Sequence, residues 1–264
     1  MKNTKMLLMG LVISGMVLTG CQSNEAADNT GESESKSEYV IGLDDTFAPM
    51  GFRNNEGDLV GFDVDLANAV ADDLGYSLSF QPIDWALKET ELNAGNIDMI
   101  WNGYTITEER SEKVDFSTPY LKNSQMIVTL EGNDIDSKED LAGKKVAAQQ
   151  SSSAVNAIED DPSNILEEFN NGEVVQFPTN NDVFNDLISG RSEAIVVDET
   201  LGRYYMSQNA SPEYKVLEDD FEKEEYAVGF RQEDDELREE FNRSLEKVME
   251  EDTYDNIYKT WFKD

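Results

Sequence analysis

The sequence predicts an α/β fold built as two lobes, and three observations lead there. Short apolar runs alternate with amphipathic helical stretches in two successive cycles, the pattern of a mostly parallel sheet with helices on its faces. The part able to fold begins near Tyr39 and is about 225 residues long, which suits two compact lobes. Hydrophobic residues make up 39% of the chain, with 12 Phe and 10 Tyr, enough for a core and too many for a disordered chain.

The elements follow in order. Residues 1–20 carry Lys2 and Lys5, no acid, and an apolar run from Met6 to Leu18. That run is too short to cross a bilayer comfortably and fits the apolar region of a signal peptide. It ends in Leu18-Thr19-Gly20-Cys21, which resembles the bacterial lipobox, where the Cys is acylated and becomes the new N-terminus. An ordinary signal peptide with a chance Cys is the other reading. Residues 21–37 hold no aliphatic side chain larger than Ala and predict a flexible tether.

Tyr39-Val40-Ile41-Gly42-Leu43 predicts a buried strand feeding a loop at Asp44-Asp45. Phe62, Leu66, Val70 and Leu74 recur every four residues and predict a helix over 62–74. Asp63 and Asp65 fall in its first turn, where the helix dipole favours acids, and Gly75 stops it. A strand over 78–83, a helix from Trp85 to near Gly95 and a strand over 97–101 complete a β-α-β-α-β cycle. After a strand over 125–130 comes a second cycle: helix near 138–141, strand 145–148, helix from about 152, strand 173–177, helix 181–188, strand 194–197, helix from about 199. A strand over 226–230 and two helices close the chain. The first helix shows Leu237, Phe241, Leu245 and Val248 on one face, the second Tyr254, Ile257, Tyr258 and Trp261. The order of elements repeats while the sequence does not, so the chain should cross between two α/β lobes more than once.

The residue counts remove several chemistries. Among 264 residues there is no His and one Cys, and the formal net charge is −35. Without His there is no Ser-His-Asp or Cys-His catalysis and no His-ligated metal. One Cys forms no internal disulfide, Cys-rich zinc site or Fe–S cluster. An acidic surface repels phosphate, which argues against nucleic acid as a partner. Asp134-x-Asp136-x-Lys138-x-Asp140 has the outline of a calcium loop, but Lys138 replaces an oxygen ligand and Glu139 the required Gly. No phosphate-binding or nucleophile-elbow motif occurs in a credible context.

Five segments carry a family resemblance. They are Asp44–Pro49; Gly61-Phe62-Asp63-Val64-Asp65-Leu66 with Val70-Ala71 and Leu74; Gly103-Tyr104-Thr105-Ile106-Thr107-Glu108-Glu109-Arg110; Val114-Asp115-Phe116-Ser117-x-Pro119-Tyr120; and Asp252-Thr253-Tyr254-x-x-Ile257-Tyr258-x-x-Trp261-Phe262. In that order and spacing, the chain from about Tyr39 to Phe262 resembles bacterial extracellular solute-binding proteins of the polar amino-acid group, family 3. The resemblance implies a periplasmic-binding-protein-like fold of type II topology, a Venus flytrap. Lobe 1 would be residues 38–119 and 227–264, lobe 2 residues 125–221, and the hinge strands 120–124 and 222–226. It further implies a monomeric lipoprotein, anchored through Cys21 on the outer face of a Gram-positive cell membrane. Such a protein hands a polar L-amino acid to the permease subunits of an ABC importer and needs no cofactor and no metal.

An amino acid presents a carboxylate, an ammonium and a side chain, and each needs a partner as it leaves water. Arg110 is the candidate for the carboxylate, because its planar fork grips two oxygens. Thr107 would N-cap its helix. On pattern alone a surface pair with Glu108 or Asp115 is the stronger reading of Arg110; the resemblance makes it the clamp. Thr105 would add a hydroxyl and a backbone N–H, and Asn102 and Gly103 would offer backbone groups where the strand ends. Ser153, at the start of a lobe 2 helix, would donate an N–H. Asp198 ends an apolar strand and suits either an ammonium or a helix N-cap; the resemblance assigns it the α-ammonium. Asp44, Phe47, Trp85, Asn102 and Gln149 would read the side chain, with Phe47 and Trp85 as aromatic walls or as core residues. Glutamine, a basic amino acid and cystine all fit this set. The alternative is an enzyme: the same fold resembles cyclohexadienyl dehydratases, which require a carboxylic acid poised beside the clamp.

Overall fold

The computed structural model describes residues 37–262. The leader over 1–20, Cys21 and the tether as far as residue 36 lie outside the described residues.

The first cycle folds nearly as its pattern predicts. Strand β1 (Glu38–Leu43) leads into three short strands, β2 (Thr46–Phe47), β3 (Gly51–Arg53) and β4 (Leu59–Val60), which form a small antiparallel sheet. Helix α1 (Phe62–Leu74) buries Phe62, Leu66 and Val70 completely, and Gly75 ends it in the left-handed conformation. Then come β5 (Ser77–Pro82), a 3-10 turn over Trp85–Leu87 running into α2 (Lys88–Asn93), β6 (Met99–Thr105), α3 (Glu108–Ser111), β7 (Asp115–Phe116) and β8 (Leu121–Leu130). The second cycle holds β9 (Val146–Gln149), α4 (Ser153–Glu159), α5 (Ile165–Glu168), β10 (Val175–Phe177), α6 (Asn180–Ile188), β11 (Ala194–Asp198) and α7 (Glu199–Gln208). Strand β12 (Tyr214–Phe230) and helices α8 (Asp235–Glu250) and α9 (Asp252–Trp261) finish the chain.

The main strands join edge to edge in the order β10-β9-β11-β8-β12-β6-β1-β5, with β7 also paired to β12. Pairing is parallel within each cycle, β5 and β6 on β1, and β10 and β11 on β9. It is antiparallel where the cycles meet, β8 on β11 and β12, and β12 on β6. The two-lobed α/β class is therefore carried by two parallel halves joined through the long β8–β12 ribbon. Residues 121–124 pair with residues 223–226. Around Trp85, Leu92 and Ile100 one apolar cluster packs on the first half; around Leu141, Ile158 and Val196 another packs on the second. A third runs across both through Tyr120, Met126 and Tyr226.

Two expectations change and one is refined. The strand expected over 97–101 begins at Met99 and continues to Thr105, so Asn102, Gly103 and Thr105 lie inside it rather than after it. The chain continues through Gly103 because that residue takes φ +56°, a conformation open to glycine. The final strand is 17 residues long, not five, since its acidic portion pairs with β8 despite its polarity. Asp63 does lie in the first turn of α1, but what fixes it there is burial: it is fully buried and accepts the Gly103 N–H at 2.6 Å.

Burial pushes the Asp63 carboxyl up to about 8 from an ordinary 3.8. Between those values the folded chain binds the proton and the unfolded chain does not, so this group's contribution to stability falls as pH rises. Asp63→Asn keeps an acceptor for Gly103 and cannot ionise. Its stability relative to the parent should rise with pH by up to about 1.4 kcal/mol per unit across this window. Urea denaturation at a series of pH values measures this, and a pH-independent difference would show that Asp63 ionises freely in the fold.

Candidate functional site

The cleft brings β6, α2 and α3 against β9 and α4. Thr107 N-caps α3, accepting the Arg110 N–H at 3.1 Å, and this turns the Arg110 side chain inward to 3% exposure. Its Nη1 donates to the Thr105 carbonyl at 2.9 Å and its Nη2 to the Ser151 carbonyl at 3.3 Å. The guanidinium carbon lies 4.6 Å from the Tyr104 ring centroid. Among the described residues it has no carboxylate within ion-pair distance, neither Glu108 nor Asp115. A buried cation held only by neutral oxygens retains unspent attraction for an anion.

Asp198, at the end of β11, is also buried. Its side chain caps no helical N–H. Instead Oδ1 accepts from the Tyr226 hydroxyl at 2.6 Å, Asn123 Nδ2 at 2.7 Å and Gln125 Nε2 at 3.0 Å. Burial raises its pKa, against the hydrogen bonds from Tyr226 and Gln125 and the Arg110 charge.

The side-chain candidates form a second set. Asp44 Oδ2 accepts Gln149 Nε2 at 2.7 Å, and Asp44 Oδ1 accepts the Thr46 hydroxyl and N–H. Burial raises the Asp44 pKa while these bonds oppose it. Asn102 Oδ1 accepts the Asp44 N–H at 3.0 Å, and its buried Nδ2 has no partner. Asn180 holds the other end of the Gln149 amide. Thr105 Oγ1 and Ser153 Oγ meet at 3.1 Å, joining β6 to α4. Trp85 stands edge-on to Tyr104, their centroids 5.9 Å apart.

Phe47, Trp85, Gly103, Arg110, Gln149, Ser153 and Asp198 line one narrow cavity of about 10 Å³, together with Ser152. Asp44, Asn102 and Thr105 stand behind that lining, bonded to it. The Gly103 N–H, expected to face a ligand, is taken by Asp63. The volume is about the room of one water, so the lining is nearly shut on itself and must part to admit an amino acid. With Arg110 and Asp198 on one lining it suits a zwitterion. Among the described residues, no group of His, Cys, Asp and Glu is arranged to hold a metal ion, and no helix is long and apolar enough to cross a membrane.

Sequence reasoning missed Lys88, Ser151 and Glu224. Lys88 is 2% exposed, donates to the carbonyls of Trp85 and Ser151 at 3.2 and 3.0 Å and pairs with Glu89 at 3.2 Å. Burial, then the Arg110 charge, lowers its pKa to about 8. The spacing Trp85, Lys88, Leu92 marks it as part of a buried helical face. Glu224 lies in an acidic stretch that no motif or periodicity singles out. Its two-residue spacing from Tyr226 puts both on one face of the strand, which is the signal that finds it.

Comparison with known proteins gives a consistent answer. A profile of the bacterial extracellular solute-binding proteins, family 3, matches residues 39–264. The arginine-binding extracellular protein ArtP of Bacillus subtilis is 30% identical over 99% of this chain and 98% of its own length. An ABC uptake transporter substrate-binding protein of Streptococcus pneumoniae, solved with bound histidine, superposes with a TM-score of 0.83 and 38% identity, covering 86% of this chain and 93% of that one. An ancestral amino acid-binding protein, a precursor of cyclohexadienyl dehydratase, superposes with a TM-score of 0.77 and 33% identity, covering 86% and 96%.

Ser151 holds its carbonyl toward both buried cations from a left-handed conformation, φ +55°, that costs a non-glycine residue roughly 1–2 kcal/mol. Ser151→Gly should therefore raise stability by about 0.5–1 kcal/mol, after allowing for glycine's greater freedom when unfolded. Thermal and chemical denaturation measure this; a loss of stability would show that the Ser151 side chain carries a contact the fold needs.

Proposed function

The chain belongs to the bacterial extracellular solute-binding proteins, family 3, and from that premise we propose that it captures a polar L-amino acid and delivers it to an ABC importer. One observation carries this reading: a buried guanidinium without a counter-anion lines the same narrow cavity as the Asp198 carboxyl. Arg110 receives the ligand's carboxylate and Asp198 its ammonium. Arginine is the leading ligand. Asp44 is a buried carboxyl with no lysine or arginine partner among the described residues, and the Bacillus subtilis relative is named for arginine. Glutamine and cystine are the competitors that the Asp44–Gln149 pair also serves.

Residues 38–119 and 227–264 form lobe 1 in this reading and 125–221 form lobe 2, with 120–124 and 222–226 as hinge strands. Leu18-Thr19-Gly20-Cys21 supports a lipid anchor at Cys21 and a place on the outer face of the cell membrane, beside the permease subunits. A dehydratase on the same fold is the second reading, favoured by one observation, that Glu224 is a partly buried carboxyl bonded to Thr105 beside the clamp. Turnover of prephenate or arogenate by the purified protein would displace the receptor reading.

A thermal-shift panel of the twenty amino acids with cystine and ornithine tests the function. The matching ligand at 100 times its Kd should stabilise the protein by about 2.7 kcal/mol, and no shift with any of them would overturn the reading. Arg110→Ala should weaken binding by roughly 2–5 kcal/mol, because it strands the ligand's carboxylate out of water. Calorimetry reads that loss, and retained affinity would move the clamp elsewhere.

A further inference from the structure

The second crossing strand brings an acid against the Asp198 side of the site, just behind the cavity lining. Glu224 Oε2 accepts Gln125 Nε2 at 2.9 Å, Thr105 Oγ1 at 3.1 Å, Asn123 Nδ2 at 3.2 Å and Ser153 Oγ at 3.4 Å. Those donors come from β8, β6 and α4, so one carboxylate oxygen ties both halves of the fold together. Asn123 Nδ2 and Gln125 Nε2 each donate to Asp198 Oδ1 as well. The two carboxyls thus share two amide donors. Among the described residues no lysine or arginine stands within ion-pair distance of either. The Oε1 of fully buried Gln125 has no donor at all, which leaves a further acceptor unmatched in the same cluster. Acceptors outnumber donors here, and the shortfall is one an ammonium would fill with its three N–H groups.

We propose that Glu224 is a second carboxylate of the ammonium subsite, and that amino-acid capture is proton-linked, the ligand's ammonium displacing one proton from the Asp198–Glu224 pair to solvent. This rests on reading the cavity as an amino-acid site.

The charged and titratable groups facing Glu224 set the sign. Asp198 on β11 adds negative charge, and Tyr226 on β12 gives its hydroxyl to Asp198. Arg110 on α3 acts through Asp198, and the partners on β6, β8 and α4 are neutral. Burial, then the Asp198 charge, raises the Glu224 carboxyl to about 7. Like-charged carboxylates this close do not both ionise freely. An arriving ammonium favours the doubly ionised pair, so affinity rises with pH through the neutral range and levels off above it.

The test uses L-arginine and L-glutamine, whose side chains do not titrate between pH 5 and 8. Calorimetry at pH 6 and pH 8, in buffers of different ionisation heat, should show binding about tenfold weaker at pH 6, with close to one proton released there. In Glu224→Gln that difference should fall below about twofold. Equal affinity at both pH values with no proton exchanged overturns the proposal. A second measurement needs neither ligand nor variant. Carboxyl-carbon NMR of the ligand-free protein should show Glu224 titrating near neutrality, and a midpoint at the ordinary glutamate value of about 4.3 overturns the proposal by itself. If Glu224 titrates near neutrality and neither these probes nor any other member of the thermal-shift panel binds, the amino-acid reading of the cavity fails and the linkage falls with it.

Discussion

Arg110 carries a full positive charge at 3% exposure, and both oxygens that receive its N–H groups are neutral carbonyls. Taking a guanidinium out of water costs several kcal/mol unless its donors are met. Each donor that is met fixes part of the surrounding chain. The Thr105 carbonyl requires β6 to continue past Gly103, and the Asp63 carboxyl holds the turn there. The Ser151 carbonyl requires a left-handed residue between β9 and α4. The Tyr104 ring supplies a face for the planar cation. Lys88 arrives at the same Ser151 carbonyl and so competes with Arg110 for it. The result is a cation whose position is fully specified and whose charge is not neutralised.

Around the same cavity, three buried or partly buried carboxyls supply the complementary excess. Asp198, Glu224 and Asp44 are met by hydroxyls and amides, which satisfy hydrogen bonds without cancelling charge. Asn123 and Gln125 each serve both Asp198 and Glu224, so that pair is organised around shared donors. A cavity with positive charge at one place and negative at another is matched in charge by a molecule with the reverse arrangement, but at about 10 Å³ the lining must part before an amino acid can enter.

Where periodicity was strong, structure followed it. Phe62, Leu66 and Val70 at four-residue spacing became a fully buried stripe, because an amphipathic face leaves a helix one way to pack. Most of the cavity lining was also legible, but through the family resemblance: on pattern alone Arg110 suited a surface pair, Asp198 a helix N-cap, and Phe47 and Trp85 the core. What escaped were groups whose identity is misleading. Asp63 is the first-turn acid its position predicts, and it is also a dry acceptor for a backbone N–H. Lys88 looks like a helix surface residue and is instead a buried donor. Glu224 sits in a run of acids that no motif singles out, and only its pairing across the sheet to Asn123 places it against Asp198. Composition describes a neighbourhood in sequence, while these roles depend on partners up to 119 positions away.

The way α1 is covered has a consequence for the order in which the chain acquires its structure. Ser244 of α8 donates to the Val70 carbonyl across 174 residues, and Trp261 of α9 donates to Asp65 across 196. A ribosome delivers residues 62–74 long before 235–261, so the buried stripe of α1 emerges with its permanent neighbours not yet made. The first cycle can form its parallel strands early, but its helical layer closes last. Assembly of this molecule is therefore dominated by contacts of long sequence separation, which slows folding and lengthens the interval in which apolar surface is open to other chains.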